Sequence, residues 1–174
     1  MPSTRELLIA VQVAPKAAPL LRAALGRRWR STLKRALQSA VTALCRAEAR
    51  SLAGELCFYF TTDLEMRALN GVYRGIECTT DVLSFAYEAT MSTEEAPIGD
   101  VVISVETAQR QAGLNQHDLL TELLMLALHG TLHLMGYDDS SEVERAQMNA
   151  RAASTLRELG YAAREEWCSQ YENA

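Results

Sequence analysis

Apolar residues recur along the chain with two periods, one typical of β-strands and one of α-helices. Alternation with period two, or a short apolar run rich in β-branched and aromatic residues, predicts a strand. Four strands are predicted, over residues 5–14, 54–62, 81–88 and 98–105. We expect the polar loop of residues 89–97 to join the third strand to the fourth.

Steps of three and four between apolar residues predict helices in the rest of the chain. A long helix is predicted over residues 20–50, and shorter ones over residues 62–71, 106–113, 118–136 and 141–160. Thr62 with Glu65, and Ser141 with Glu144, have the spacing of capping boxes. In a capping box a hydroxyl and a carboxylate satisfy free backbone N–H groups at the start of a helix.

The predicted helix of residues 118–136 is apolar around almost its whole circumference. Such a helix is buried on most sides, so we expect it at the centre of the fold. The predicted element order is β-α-β-α-β-β-α-α-α, and 174 residues are enough for one compact core. The sequence therefore predicts a single α+β domain over residues 1–174, with helices packed on a mixed sheet of about four strands.

Two of the three histidines, His129 and His133, lie in this apolar helix. They are four residues apart, which places them one turn apart on the same helical face, so their imidazoles can bind one metal ion. Gly136 permits a left-handed turn that can bring Asp138 or Asp139 back towards the histidines. Two imidazoles and one carboxylate are a known donor set for catalytic zinc, and they leave a position for water.

A purely structural interpretation of the same histidines is also open. Both can be core residues satisfied by backbone carbonyls, with the aspartates capping the next helix. The His-x-x-x-His spacing alone is a weak signal, but two imidazoles in so apolar a helix need polar partners, and one metal ion supplies both. We therefore predict a metal centre. The third histidine, His117, is expected at the surface without a partner.

Positive charge is concentrated near the N-terminus. The chain has a net charge of −5, yet residues 16–50 contain nine of the seventeen lysines and arginines and a single acid, so this segment has a net charge of +8. Arg27, Arg30 and Lys34 form a basic stripe along the predicted helix, and such a stripe can bind the phosphates of a polyanion without reading its bases. An ordinary solvated helix face is the alternative.

Cysteine usage and hydropathy limit the setting of the protein. The longest apolar run near the N-terminus is far shorter than the roughly 20 residues that a membrane-spanning helix needs. Cys45, Cys57, Cys78 and Cys168 form no Cys-x-x-Cys pair, so we predict that they are reduced, buried thiols. We therefore expect a cytoplasmic protein that does not contact a membrane.

The segment "HGTLHLMGYDD", residues 129–139, closely resembles the His-Gly-x-Leu-His-Leu-x-Gly-Tyr-Asp-His signature of the YbeY family of bacterial metal-dependent endoribonucleases. The segments "LNGVYRG", "TTDVLSF" and "IGDVVIS" are similar to three further family motifs and occur in the same order. The resemblance covers most of the chain. It implies an α+β fold with one zinc ion in a cleft, and cleavage of single-stranded RNA in 16S rRNA 3′-end maturation and ribosome quality control.

The resemblance also implies roles for individual residues and partners. His129, His133 and Asp139 correspond to the metal ligands, and Arg74 corresponds to the cleft arginine that is important for activity. The planar guanidinium of Arg74 suits a scissile phosphate better than a lysine would, although a solvated loop arginine is the alternative. The basic stripe would contact RNA, and the expected partners are the 16S rRNA precursor and small-subunit components, not DNA.

The chain departs from the family signature at the third ligand, because Asp139 stands where the family has histidine. A carboxylate donates negative charge, so we expect one Zn²⁺ per chain with Mn²⁺ or Fe²⁺ as stronger competitors than at a three-histidine site. A non-catalytic ribosome-assembly factor with a structural or weakened metal site is the first alternative. A zincin-like protease is disfavoured, because Gly130 replaces the glutamate that acts as general base in the His-Glu-x-x-His motif.

Overall fold

The computed structural model describes residues 6–87 and 97–167. The strands are β1 (Leu7–Val13), β2 (Gly54–Thr61), β3 (Val82–Ala86) and β4 (Pro97–Ser104). The helices are α1 (Ala18–Leu25), α2 (Trp29–Ala47), α3 (Asp63–Arg74), α4 (Val105–Asn115), α5 (Leu119–Leu134) and α6 (Glu142–Glu158). These helices and strands confirm the predicted α+β class. The predicted loop lies outside the described residues except for Pro97, and so does Cys168.

The four strands form one mixed sheet in the order β1-β2-β4-β3. β1, β2 and β4 are parallel, and β3 pairs antiparallel with β4. Parallel neighbours need long crossover connections, which α1 and α2 provide between β1 and β2, while α3 and β3 lie between β2 and β4. β3 is therefore an edge strand.

Successive side chains of a strand point to opposite faces, so the sheet contacts two separate cores. Val101 and Ile103 on β4 belong to the main core, which α2, α5 and α6 cover. Val102 and Leu83 belong to a smaller cluster with Met66 of α3. α3 and α5 therefore lie on opposite faces of the sheet near its β3 edge.

α5 is the central buried helix, as predicted. It packs against α2, α4 and α6 and against strands β3 and β4. It lies close to the sheet at Gly130, where an added Cβ would lie 2.6 Å from Val101 Cγ1 and 2.9 Å from the Ser84 hydroxyl. Only glycine allows this separation, because any side chain would push the helix off the sheet. No helix among the described residues has the length and apolar character to cross a membrane.

The prediction of one helix over residues 20–50 is wrong, because two helices occupy this segment. Pro19 lies in the first turn of α1, and α1 ends at Gly26, whose φ of +81° is accessible to glycine. α2 then starts at Trp29. Arg27 consequently lies in the turn between the helices, not on the predicted helical stripe.

Two further helix ends were also predicted too early. α3 continues through Gly71 to Arg74 and is capped by Gly75, whose φ is +71°. Arg74 is therefore the last residue of a helix and not part of a loop. α4 likewise continues past Gly113, and Gln116 adopts the left-handed conformation that ends it. A helical glycine is tolerated where neighbouring residues keep the hydrogen-bond ladder intact.

The predicted N-caps are largely confirmed. Ser141 and Glu144 form a complete capping box at the start of α6, as predicted. Asp118, at which only the start of the helix was predicted, caps α5. The Thr62 hydroxyl accepts the N–H of Glu65, but the Glu65 carboxylate accepts hydrogen bonds from strand hydroxyls instead of returning to the cap. The short-range signals that start these helices are therefore readable from the sequence, while the reciprocal contact at Thr62 is not.

Candidate metal centre

The turn after α5 brings the aspartate of the signature back to the helix. The N–H of Gly136 donates to the His133 carbonyl at 2.9 Å, and the N–H of Tyr137 donates to the Leu132 carbonyl at 3.1 Å. These two bonds define a Schellman motif, which requires a left-handed residue, and Gly136 has φ +90°. The chain reverses at this glycine, so Asp139 lies beside the last turns of α5, as predicted.

His129, His133 and Asp139 form a triangle of donor atoms. The two Nε2 atoms are 3.1 Å apart, and Oδ2 of Asp139 lies 3.3 Å from the first and 3.4 Å from the second. Bonds of about 2.0 to 2.1 Å to a tetrahedral zinc ion place neighbouring donors about 3.3 to 3.4 Å apart. The three side chains therefore fit a divalent ion in both donor type and spacing.

The environment keeps these donors in the forms that bind a metal. Nδ1 of His133 lies 3.1 Å from the Tyr137 carbonyl oxygen, so it carries the proton and leaves the Nε2 lone pair directed at the triangle. Burial lowers the pKa of His133, and His129 lowers it further. The hydrogen bond with His129 lowers the pKa of Asp139 to about 2. These shifts favour the neutral imidazole of His133 and the ionised carboxylate of Asp139, which are the forms that bind a metal.

The structure separates the two aspartates that the sequence left as rivals. Asp138 is exposed, and its carboxylate accepts the backbone N–H of Asp139 at 2.8 Å and the Ser140 hydroxyl at 2.7 Å. Asp138 therefore shapes the turn, and Asp139 is the acid that joins the histidines.

A cluster of side chains from distant parts of the chain holds the turn, and sequence reasoning missed it. The Tyr137 hydroxyl donates to Glu48 at the end of α2, and Arg151 of α6 contacts the same carboxylate at 3.2 Å. Arg50 donates to the Met135 carbonyl, and its guanidinium lies 5.4 Å from the centre of the Tyr137 ring. The end of α2 and the helix α6 thus fix the backbone that carries Asp139. They also fix the Tyr137 carbonyl, which orients His133.

The prediction that His117 is an unpartnered surface residue is wrong. Its side chain is fully buried, and Nδ1 lies 2.8 Å from the Glu122 carboxylate. Nε2 accepts the backbone N–H of Arg164 at 3.1 Å. Glu122 is only five residues further along the chain and could have been considered from the sequence, whereas Arg164 folds onto His117 from a distant part of the chain. The three described cysteines are free, as predicted, but half-buried and not fully buried.

Arg74 lies exposed at the C-terminal end of α3 and has no hydrogen-bond or ion-pair partner within residues 6–87 and 97–167. The neighbouring Tyr73 ring contacts Phe85 of β3, with centroids 4.8 Å apart. On the other face of the same strand, the Ser84 hydroxyl donates to the carbonyl of Gly130 beside the first histidine at 3.2 Å. β3 therefore contacts the helix end that carries Arg74 on one face and α5, which carries the two histidines, on the other.

The structure does not bring the basic stripe to the triangle. Arg30 and Lys34 are exposed on α2, and the Arg30 guanidinium lies 4.3 Å from the centre of the Trp29 ring. Lys34 precedes Glu48 by fourteen residues, which corresponds to about 20 Å along the helix axis. Since Glu48 contacts the turn that carries the acid of the triangle, the stripe is a separate surface.

Comparison with known proteins connects this site to a family. The family model described as endoribonuclease YbeY matches residues 25–160. The chain is 41% identical to the endoribonuclease YbeY of Moorella thermoacetica over 145 residues, covering 78% of this chain and 89% of that protein. It is 35% identical to the endoribonuclease YbeY of Roseiflexus castenholzii over 161 residues, covering 89% and 94% of the two chains.

A solved structure supports the fold independently. The solution structure of TM1509 from Thermotoga maritima matches 88% of this chain and 92% of its own, with a TM-score of 0.52 and 19% sequence identity. At this identity the likeness concerns the fold alone. The chain belongs to the YbeY family of endoribonucleases, as the ordered motifs indicated.

Proposed function

We propose that the protein is a metal-dependent endoribonuclease specific for single-stranded RNA, which acts in 16S rRNA 3′-end maturation and ribosome quality control. The observation that carries this proposal is the donor triangle of His129, His133 and Asp139 in a chain of this family. The side chains of His133 and Asp139 are each 29% exposed, so a strand of RNA could reach the triangle without unfolding of the protein.

The residues around the triangle suit phosphodiester cleavage. A divalent ion held by the triangle would polarise a phosphoryl oxygen and lower the pKa of a water molecule. Arg74 is exposed beside the contact of Tyr73 with β3, and its planar guanidinium can bind a phosphate through two hydrogen bonds. We assign Arg74 the role of clamping the scissile phosphate. Peptide hydrolysis lacks a base here, because Gly130 faces the sheet at a distance that admits no side chain.

The basic stripe, Arg30 and Lys34 on α2 with Arg27 in the turn before it, would bind the backbone of longer RNA away from the cleavage site. Its distance from the triangle makes it a secondary contact surface, which adds affinity without reading sequence. The natural partners would be precursor 16S rRNA and components of the small ribosomal subunit in the cytoplasm, with no role for DNA or a membrane.

The donor set favours zinc but admits harder ions. Zinc binds two imidazoles and a carboxylate in known catalytic sites, while the carboxylate suits Mn²⁺ and Fe²⁺ better than a third imidazole would. We propose one divalent ion per chain, Zn²⁺ first, with Mn²⁺ or Fe²⁺ as competitors.

One observation favours a second candidate function. Asp139 replaces the histidine of the family signature, and a weakened site would suit a ribosome-assembly factor that binds RNA without cutting it. Cleavage of single-stranded and duplex RNA by the zinc-loaded and manganese-loaded protein distinguishes the two. Cleavage of single strands alone, abolished by chelator, supports the endoribonuclease, whereas binding without cleavage supports the assembly factor.

A further inference from the structure

The two histidines of the triangle are held in different ways. The ring of His133 is fixed by a hydrogen bond from its Nδ1 to the Tyr137 carbonyl oxygen. The Nδ1 of His129 is buried and has no hydrogen-bond partner among the described residues. Metal-binding histidines usually donate their second nitrogen to a partner that fixes the ring. Another contact must therefore orient His129.

The indole of Trp167 provides that contact. Trp167 follows α6 and is only 2% exposed, and its ring centre lies 5.6 Å from that of His129 at an interplanar angle of 53°. The His133 ring meets His129 edge-on, with the centroids 4.8 Å apart. Both distances are typical of attractive ring pairs. The His129 ring thus contacts an aromatic ring on each of two sides, which restricts its rotation.

Trp167 is itself held by a buried polar network. Its Nε1–H donates to Oε1 of Glu122 at 2.6 Å, and its backbone carbonyl accepts from the Asn149 side chain at 2.7 Å. Glu122 is fully buried and also contacts Asn115 and His117. Because Nε2 of His117 accepts the backbone N–H of Arg164, Nδ1 of His117 carries the proton and donates to Glu122. Burial raises the pKa of Glu122, and the hydrogen bonds from Trp167, His117 and Asn115 counteract this shift, because every named contact of the carboxylate is with a donor.

The geometry of α5 explains why the network reaches the triangle. Glu122 and His129 are seven residues apart, so they lie on the same helical face about 10 Å from each other along the axis. The indole spans this gap, with its N–H on the carboxylate and its ring on the imidazole. A bound metal would give the imidazole positive character, which a neighbouring indole stabilises through its π-system.

We infer that Trp167, anchored by Glu122, is a positioning residue that orients His129 towards the metal. This inference rests on the proposed metal site. Ring packing by Trp167 would take the place of the hydrogen bond to the Tyr137 carbonyl that orients His133. Trp167 does not contact the substrate in this account, so it acts on metal binding and coordination geometry.

Three substitutions separate the parts of the interaction. Trp167→Phe keeps a ring beside His129 but loses the N–H donated to Glu122, and Trp167→Leu also loses the ring. Glu122→Gln keeps the acceptor oxygen but removes the charge. The control is Trp29→Phe, which changes the chain's other tryptophan, buried at the start of α2.

The readout is the absorption spectrum and affinity of Co²⁺ bound to each purified protein. Loss of an orienting partner typically lowers metal affinity 10- to 100-fold, so we expect at least about a tenfold loss for Trp167→Leu and a smaller loss for Trp167→Phe and Glu122→Gln. The visible Co²⁺ bands should shift in these three variants and stay unchanged in Trp29→Phe. A variant that only destabilised the fold would lose no affinity below its unfolding temperature and would keep the wild-type spectrum.

A second measurement uses protein in which Trp167 is intact. In the Trp29→Phe protein all indole fluorescence comes from Trp167, and Co²⁺ should quench it with the same midpoint as the absorption change. Unchanged fluorescence at Co²⁺ saturation, or wild-type affinity and spectrum in folded Trp167→Phe and Glu122→Gln, overturns the inference. Failure of the wild type to bind Co²⁺ would instead overturn the metal site proposed above.

Discussion

Nδ1 of His133 lies 3.1 Å from the carbonyl oxygen of Tyr137, the residue four positions further along the chain. This contact exists because the chain reverses at Gly136, and the same reversal delivers Asp139 to the histidines. One backbone turn thus both orients a histidine of the triangle and supplies the acid beside it. The Tyr137 side chain holds this turn in place, because its hydroxyl donates a hydrogen bond to Glu48.

The first prediction tests this turn. Gly136→Ala places a side chain at φ +90°, which should destabilise the fold by about 1 kcal/mol or more and weaken zinc binding, since the turn positions both the carbonyl and the acid. Gly160→Ala is the matched control, because Gly160 has the same φ and ends α6 in the same hydrogen-bonded turn far along the chain. Denaturant unfolding should show similar losses for both variants, and calorimetric zinc titration should show weaker binding for Gly136→Ala alone.

The second prediction concerns the identity of the acid. Asp139→Ala should lower zinc affinity by at least about 100-fold, since losing a direct ligand costs more than losing a supporting contact. Asp138→Ala should lose much less, because this carboxylate only shapes the turn. Asp139→His restores the family signature and should retain zinc. Metal content after dialysis measures the three variants, and full metal retention by folded Asp139→Ala would place the third ligand elsewhere.

The third prediction tests the proposed phosphate clamp. Arg74→Lys should leave the fold and metal content unchanged while the cleavage rate falls at least tenfold, because a lysine cannot form the paired hydrogen bonds of a guanidinium. Arg67→Lys is the control, since Arg67 is exposed two turns earlier on the same helix. Single-turnover cleavage of a labelled single-stranded RNA measures both. Equal rates for wild type and Arg74→Lys would remove Arg74 from the reaction.

The fourth prediction concerns the basic stripe. Reversal of Arg27, Arg30 and Lys34 to glutamate should weaken binding of all single-stranded RNA sequences alike. It should also reduce the slope of log affinity against log salt by about 2, since each phosphate contact to a single strand contributes about 0.7. A control with the same change in net charge reverses three other exposed arginines, Arg22, Arg67 and Arg164. If both variants flatten the slope equally, overall charge and not the stripe binds RNA.

Much of the fold could be predicted because its signals are local. The four strands follow from period-two patterns, and the N-caps at Asp118 and Ser141 follow from single side chains near the helix ends. The donor triangle could also be predicted from the sequence, because His129 and His133 share a helical face and Gly136 marks the reversal of the chain. A site built within eleven consecutive residues leaves its spacing in the sequence.

The remaining features depend on contacts between distant parts of the chain. The burial of His117 involves the nearby Glu122, but it also involves the backbone of Arg164, which is 47 residues further along the chain. Trp167 comes from a tail without periodicity, and only its packing against His129 reveals its place. The helix break at Gly26 was missed for another reason, since apolar spacing on both sides of the turn continues the helical period by coincidence.

The central claim is that one divalent ion, held by His129, His133 and Asp139, is required for RNA cleavage. The most direct measurement is titration of the chelator-stripped protein with Zn²⁺, with bound metal and the cleavage rate of single-stranded RNA recorded on the same samples. We predict no cleavage without metal, a rate that rises in proportion to bound metal, and a plateau at one ion per chain. Cleavage by the fully stripped protein, or no cleavage by protein carrying one bound ion per chain, would contradict the claim.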